Sequence, residues 1–195
     1  MQTLLPNRRA LIATLLVAAA VLAILFGMGR PPICPCGTVK FWEGAVHSPE
    51  NSQMIADWYS ASHLIHGLLF YFFAHLLWRR WRLFGGLPTR YALPIAVAFE
   101  GFWELLENSP IIIDRYRAVT ISWGYSGDSI LNSMSDIGWM AIGFLVASRL
   151  PAWASAALAV ALELLTLAII RDNLTLNVVM LVHPVPAIAA WQAGA

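Results

Sequence analysis

Five long apolar runs, separated by polar or turn-forming breaks, organise the chain. They cover residues 10–28, 58–78, 91–107, 128–148 and 152–170. An α-helix needs roughly 20 apolar residues to cross a hydrocarbon core. Backbone groups in lipid must find their hydrogen bonds inside the segment, which favours helices. The pattern therefore predicts an all-α fold: a polytopic transmembrane helical bundle of five spans, built as a single integral membrane domain over residues 1–195. Arg79-Arg80-Trp81-Arg82 followed by Gly85-Gly86-Leu87-Pro88 breaks the chain after the second run, and Arg149-Leu150-Pro151 turns it after the fourth. Residues 29–57 and 108–127 are expected as outer loops, the second polar and aromatic. The segment Leu174–Trp191 is apolar but holds Asn177, His183, Pro184 and Pro186. It is expected to be interfacial or re-entrant, with a sixth span as the rival. The first run reads as an uncleaved signal anchor, because its small residues Ala18, Ala19 and Ala20 lie mid-segment and no clean Ala-x-Ala site follows.

Composition points the same way. Of 195 residues, 59% are hydrophobic and 12% charged, with a mean hydropathy of +0.66. A soluble domain carries about 25% charged residues, so this chain has too little polar surface for a water-soluble particle. A net charge of +1 gives no bulk attraction to nucleic acid. Nine Trp suit the two membrane interfaces, where an indole buries its ring and keeps its N–H wet. Lys and Arg set the orientation. With the N-terminus in the cytoplasm, Arg8, Arg9, Arg79, Arg80, Arg82, Arg90 and Arg149 lie inside, against Arg30, Lys40, Arg115, Arg117 and Arg171 outside. The Cys34/Cys36 loop is then expected on the outer side of the membrane. The two cysteines flank one proline, so they read as thiols or a strained bridge with a local structural role, or as a redox or soft-metal site.

The polar residues inside the spans carry the chemistry. His63 and His66 are three apart and share one face of the second run. Glu100, Glu104 and Glu107 share a face of the third, and Asp128, Asn132 and Asp136 share a face of the fourth. At a rise of 1.5 Å per residue, these faces meet at similar depth, roughly 5–12 Å below the outer edge. No Lys lies within the predicted spans, and Arg occurs only at their ends. An acid at such depth is costly unless it is protonated, paired or wet. These acids must therefore share protons, pair with His63 or His66, or hold a cation. Four readings stay open: a hydrogen-bonded network that glues helices, a metal site, a proton or ion path, and a haem held by two His. His with carboxylates suits a divalent transition metal such as Zn²⁺, Mn²⁺ or non-haem iron. The candidate ligands are His63, His66, Glu104, Asp128 and Asp136, with Glu100, Glu104 and Asp136 as candidate acid–base residues. Arg115, Arg117 and Arg171, with Asn108 and Asn132, are candidates for holding an anionic headgroup beside the pocket. His75 and His47 carry no such argument, and Glu163 reads equally well as a functional carboxylate or a lone hydrogen-bonded acid.

Several stretches carry a family resemblance. They are Ile33-Cys34-Pro35-Cys36-Gly37, Glu50-Asn51-Ser52-Gln53, Asp57-Trp58-Tyr59-Ser60 with Ser62-His63 and His66-Gly67, and Trp103-Glu104 with Glu107-Asn108-Ser109. Further along come Arg115-Tyr116-Arg117, Gly127-Asp128-Ser129 with Asn132-Ser133, and Arg171-Asp172-Asn173-Leu174 with Leu176-Asn177. Through them the chain resembles, over nearly its whole length, an uncharacterised alphaproteobacterial inner-membrane family described as a domain of unknown function. That resemblance implies a multi-pass membrane protein and no activity. A shorter likeness is to VanZ-like membrane proteins, with a His on one helix, acids on the next, and an Asp/Asn helix followed by Gly138 and Gly143. It implies a role in the cell envelope.

Two functions follow as expectations. The first is a membrane-embedded enzyme acting on a lipid or lipid-linked substrate through a metal or acid–base pairs. The second is a non-enzymatic assembly or interaction factor, or a small transporter, with a buried polar network. The apolar inner halves of the spans count against transport.

Overall fold

The computed structural model describes residues 6–122 and 124–194, apart from the side chain of Leu87. It is mostly helical, as the apolar runs require. The α-helices are α1 (Arg8–Gly27), α2 (Ser60–Ala74), α3 (Ala92–Glu107), α4 (Pro110–Val119), α5 (Ile130–Ala147), α6 (Ala152–Ile170), α7 (Leu174–Val182) and α8 (Pro186–Gln192). A π-helical stretch, His75–Arg80, prolongs α2. Four helical segments are long and apolar enough to cross a membrane: Arg8–Gly27, Ser60–Arg80, Ile130–Ala147 and Ala152–Ile170. The third run forms α3, whose 16 residues reach about 24 Å at the helical rise. α3 packs against α1 and α5. The outward sides of α1 and α6 expose Leu15, Leu16, Phe26, Trp153, Leu164 and Ile169, an apolar surface of the kind lipid covers.

The expected loop at 108–127 is in part a helix. Ser109 caps α4 by accepting from the Ile112 amide, and Pro110 occupies the first turn, where its missing N–H costs nothing. The tail divides into α7 and α8 at His183-Pro184-Val185. Nine and seven residues give about 14 and 10 Å, so neither helix crosses the hydrocarbon core alone. Glu163 finds its role here. Its carboxylate accepts from the Leu174 amide (2.9 Å), the Thr175 amide (3.1 Å) and the Thr175 hydroxyl (2.5 Å), which anchors the start of α7 to α6.

Residues 29–57 fold back over the start of α5. Arg30 donates to the Asp128 carbonyl at 2.9 and 2.7 Å, and the Ile130 and Leu131 amides donate to the Pro31 and Pro32 carbonyls. The Ser129 hydroxyl donates to the Gln53 carbonyl and the Asn132 side-chain Nδ2 to that of Met54, both at 2.9 Å. A two-residue parallel pairing of β1 (Trp42–Glu43) with β2 (Ala56–Asp57) closes this segment. Cys34 and Cys36 are joined in a disulfide at its start.

α2 and α5 touch backbone to backbone. A Cβ at Gly67 would lie 2.0 Å from the Met140 carbonyl oxygen, and one at Gly143 would lie 2.2 Å from that of Leu64. Small residues permit this approach, and it sets how near the His face of α2 comes to the Asp face of α5. Gly67→Val is therefore expected to lower the melting temperature of the detergent-purified protein by several degrees, as overpacking by about 1–3 kcal/mol does. Gly138→Ala, with open space at its Cβ, should leave it unchanged. Equal melting of all three proteins would contradict the close contact.

Asp172 ties the tail to the bundle. It accepts from the Asn173 amide (3.0 Å), Gln192 (3.1 Å), Tyr59 (3.2 Å) and Asn177 (3.5 Å). Burial pushes its carboxyl up to about 6, against the lowering effect of these bonds. For an acid whose folded-state value is raised, stability is greatest below the unfolded value of about 3.9 and falls as pH rises through 6. Amide hydrogen exchange in residues 174–192, corrected for intrinsic rate, should therefore speed up between pH 5 and pH 7. Asp172→Asn should flatten that dependence. A wild-type profile without pH dependence would contradict it.

Candidate functional site

The three polar faces converge. His63 stands on α2 with its ring between two helices. Its Nδ1 lies 2.6 Å from Glu100 Oε1 and 3.7 Å from Glu104 Oε1 on α3, while Nε2 lies 3.7 Å from Asp136 Oδ2 on α5. His66, one turn further on, meets the same Glu100 through Nδ1 at 3.0 and 3.1 Å. Glu100 thus takes both imidazoles with one carboxylate. His63, Glu100, Glu104, Asp128, Asn132 and Asp136 are all buried.

A cavity of about 260 Å³ opens beside this cluster. Asp57, His63, His66, Glu100, Glu107 and Asp136 give it a polar wall, and Phe70, Trp103, Leu174 and Val178 an apolar one. Among the described residues that line it, none is Lys or Arg.

Glu104 differs from its neighbours. It is fully buried, and neither carboxylate oxygen has a hydrogen-bond partner. Leaving such a group unsatisfied costs several kcal/mol when ionised. It sits among donor atoms spaced for an ion. One atom each from His63, Glu104 and Asp136 lies within 4.8 Å of the others. The same holds for His63, His66 and Glu100, and for Glu104, Glu107 and Asp128. The expected ligand residues therefore come together, in three overlapping groups.

The residues expected at a headgroup site separate. Arg115 donates through Nε to the Leu181 carbonyl (2.9 Å), and Arg117 to the Tyr125 carbonyl (2.5 Å). Arg171 donates to the Trp191 carbonyl (3.0 Å) and lies over that indole. All three guanidiniums brace loop and tail backbone, and none lines the cavity. Asn132 lines it but gives its amide to Met54. Asn108 holds the ends of two helices together. Its Nδ2 donates to the Glu104 carbonyl (2.9 Å), Asp128 Oδ2 (2.9 Å) and Ser133 Oγ (3.1 Å), and its Oδ1 accepts from the Asp128 amide (2.8 Å).

Sequence reasoning passed over Asp57, Tyr59, Tyr116 and Tyr125 at the cavity wall. Asp57 accepts from the Ser52 and Tyr59 amides (3.0 and 2.8 Å), and Tyr125 donates to Asp128 (2.9 Å). Tyr59 reaches Ser122 (3.3 Å) and Asp172, while Tyr116 donates to Asn177 (3.1 Å). Asp57 and Tyr59 flank the entry to α2, within one of the stretches that carry the family resemblance.

Relatives agree on a family without naming a reaction. Residues 25–194 match the family model described as "Protein of unknown function (DUF2585)". A "UPF0314 protein" from Novosphingobium aromaticivorans is 61% identical over 191 residues, covering 98% of this chain and 96% of the relative. One from Sphingopyxis alaskensis is 59% identical, covering 92% and 94%, and one from Agrobacterium fabrum is 56% identical, covering 90% and 88%. No solved structure matches. The chain belongs to this alphaproteobacterial DUF2585 family of UPF0314 proteins.

Proposed function

We propose that this protein is a membrane-embedded enzyme that holds a divalent transition metal at His63, Glu104 and Asp136 and acts on a lipid or lipid-linked envelope substrate. The observation that carries this reading is Glu104, a buried carboxylate with both oxygens unpartnered beside a His and an Asp at ligand spacing. A mixed set of imidazole nitrogen and carboxylate oxygen suits Zn²⁺, Mn²⁺ or Fe²⁺. The 2.6 Å contact of His63 Nδ1 with Glu100 is the outer carboxylate bond that orients a metal-ligating imidazole. It leaves Nε2 on the Asp136 side.

A bound metal would supply a Lewis acid. The protein's own groups would do the rest. Glu100, bridging His63 and His66, can relay a proton between the buried cluster and the cavity, where all three side chains lie. The apolar wall of Phe70, Trp103, Leu174 and Val178 suits an acyl or prenyl stem. The cavity has room for a reacting group rather than a whole lipid. In this reading α1 anchors the chain from the cytoplasm, α3 makes a fifth crossing, and the cavity and the Cys34–Cys36 segment face the periplasm; the excess of Arg on the inner loops supports that orientation.

His63→Ala, Glu104→Gln and Asp136→Asn should each still accumulate in cells, lose at least half of the metal that co-purifies with wild type, and alter the envelope-lipid profile as deletion of the gene does. An unchanged lipid profile in cells holding a normal amount of each variant would contradict the enzymatic reading.

A further inference from the structure

We infer that the site takes two cations rather than one, with Glu104 bridging the His63–Asp136 position and a second position made by Glu104, Glu107 and Asp128. This rests on the metal reading given above. The two ligand groups share Glu104 and no other residue, and within each group the donor atoms lie within 4.8 Å of one another. A carboxylate has two oxygens, so one Glu can serve an ion on each side. Glu104 is the acid in this cluster with both oxygens unpartnered, and it is fully buried between the two groups.

The second group is held for the purpose. Asp128 accepts one hydrogen bond on each oxygen, from Tyr125 at 2.9 Å and from Asn108 at 2.9 Å. Each oxygen keeps a free lone pair, and its direction is fixed in the way outer partners fix a ligating carboxylate. Asn108 also takes the Asp128 amide and gives to the Glu104 carbonyl, so one side chain sets the spacing of Glu104 from Asp128. Glu107 and Asp128 both line the cavity, which gives an ion a way in. The two positions differ in kind. The first includes imidazole, whereas the second is all carboxylate and suits a hard ion such as Mg²⁺ or Mn²⁺.

Equilibrium dialysis of the detergent-purified full-length protein against Mn²⁺, with elemental analysis and electron paramagnetic resonance, separates the cases. Wild type should bind two Mn²⁺ per chain and give an exchange-coupled signal. Asp128→Asn and Glu107→Gln should each bind one, with an uncoupled signal. His63→Ala should also lose the coupling. One uncoupled Mn²⁺ in wild type, unchanged in Asp128→Asn and Glu107→Gln, would overturn the second position and leave the first standing. No bound Mn²⁺ in folded wild type, and none after loading with Zn²⁺ or Fe²⁺, would overturn both.

Discussion

A carboxylate sealed away from water has to find a proton, a hydrogen-bond donor or a cation. Glu104 meets that constraint at the centre of this molecule, and most of the surrounding structure can be read from it. Its neighbours have found donors. Glu100 has two imidazoles, Asp128 has Tyr125 and Asn108, Asp57 has backbone amides, and Asp172 has four partners at the root of the tail. Glu104 has none. Three helices nonetheless carry their polar faces to this point, and the backbone contact of Gly67 with α5 and Gly143 with α2 brings two of them close enough to do so.

The rest of the chain works as a brace around that point. Residues 29–57 lay their carbonyls over the first turn of α5 and occupy the amide of Asn132. Arg115, Arg117 and Arg171 hold loop and tail carbonyls. Asp172 gathers α7, α8 and Tyr59. Arg115, Arg117, Arg171 and Asp172 thus hold loop and tail in place, and the cavity has no described Lys or Arg on its wall.

Much of this was legible in the sequence, for definite physical reasons. Helical period puts His63 with His66, and Glu100 with Glu104, on common faces whatever the tertiary structure. The cost of burying acids then forces those faces together. Span length is less well determined. The run at 91–107 forms α3 within one residue of its expected bounds, but its 16 residues fall short of the roughly 20 that cross a hydrocarbon core. The helix at 110–119 was signalled by Ser109-Pro110, a cap and first-turn pair easily lost in a stretch dense with charge. The roles of Arg115, Arg117 and Arg171 could not be read at all, because a guanidinium bound to a distant carbonyl leaves no local pattern. The same holds for the return of residues 29–57 onto α5.

The most direct test of the central claim is X-ray absorption at the metal edge on the purified, metal-loaded protein. The account predicts a first shell of oxygen and nitrogen at about 2.0–2.2 Å with the outer-shell scattering of a single imidazole, and loss of that imidazole signal in His63→Ala. An edge spectrum of a fully hydrated ion, or one unchanged by His63→Ala, would contradict it.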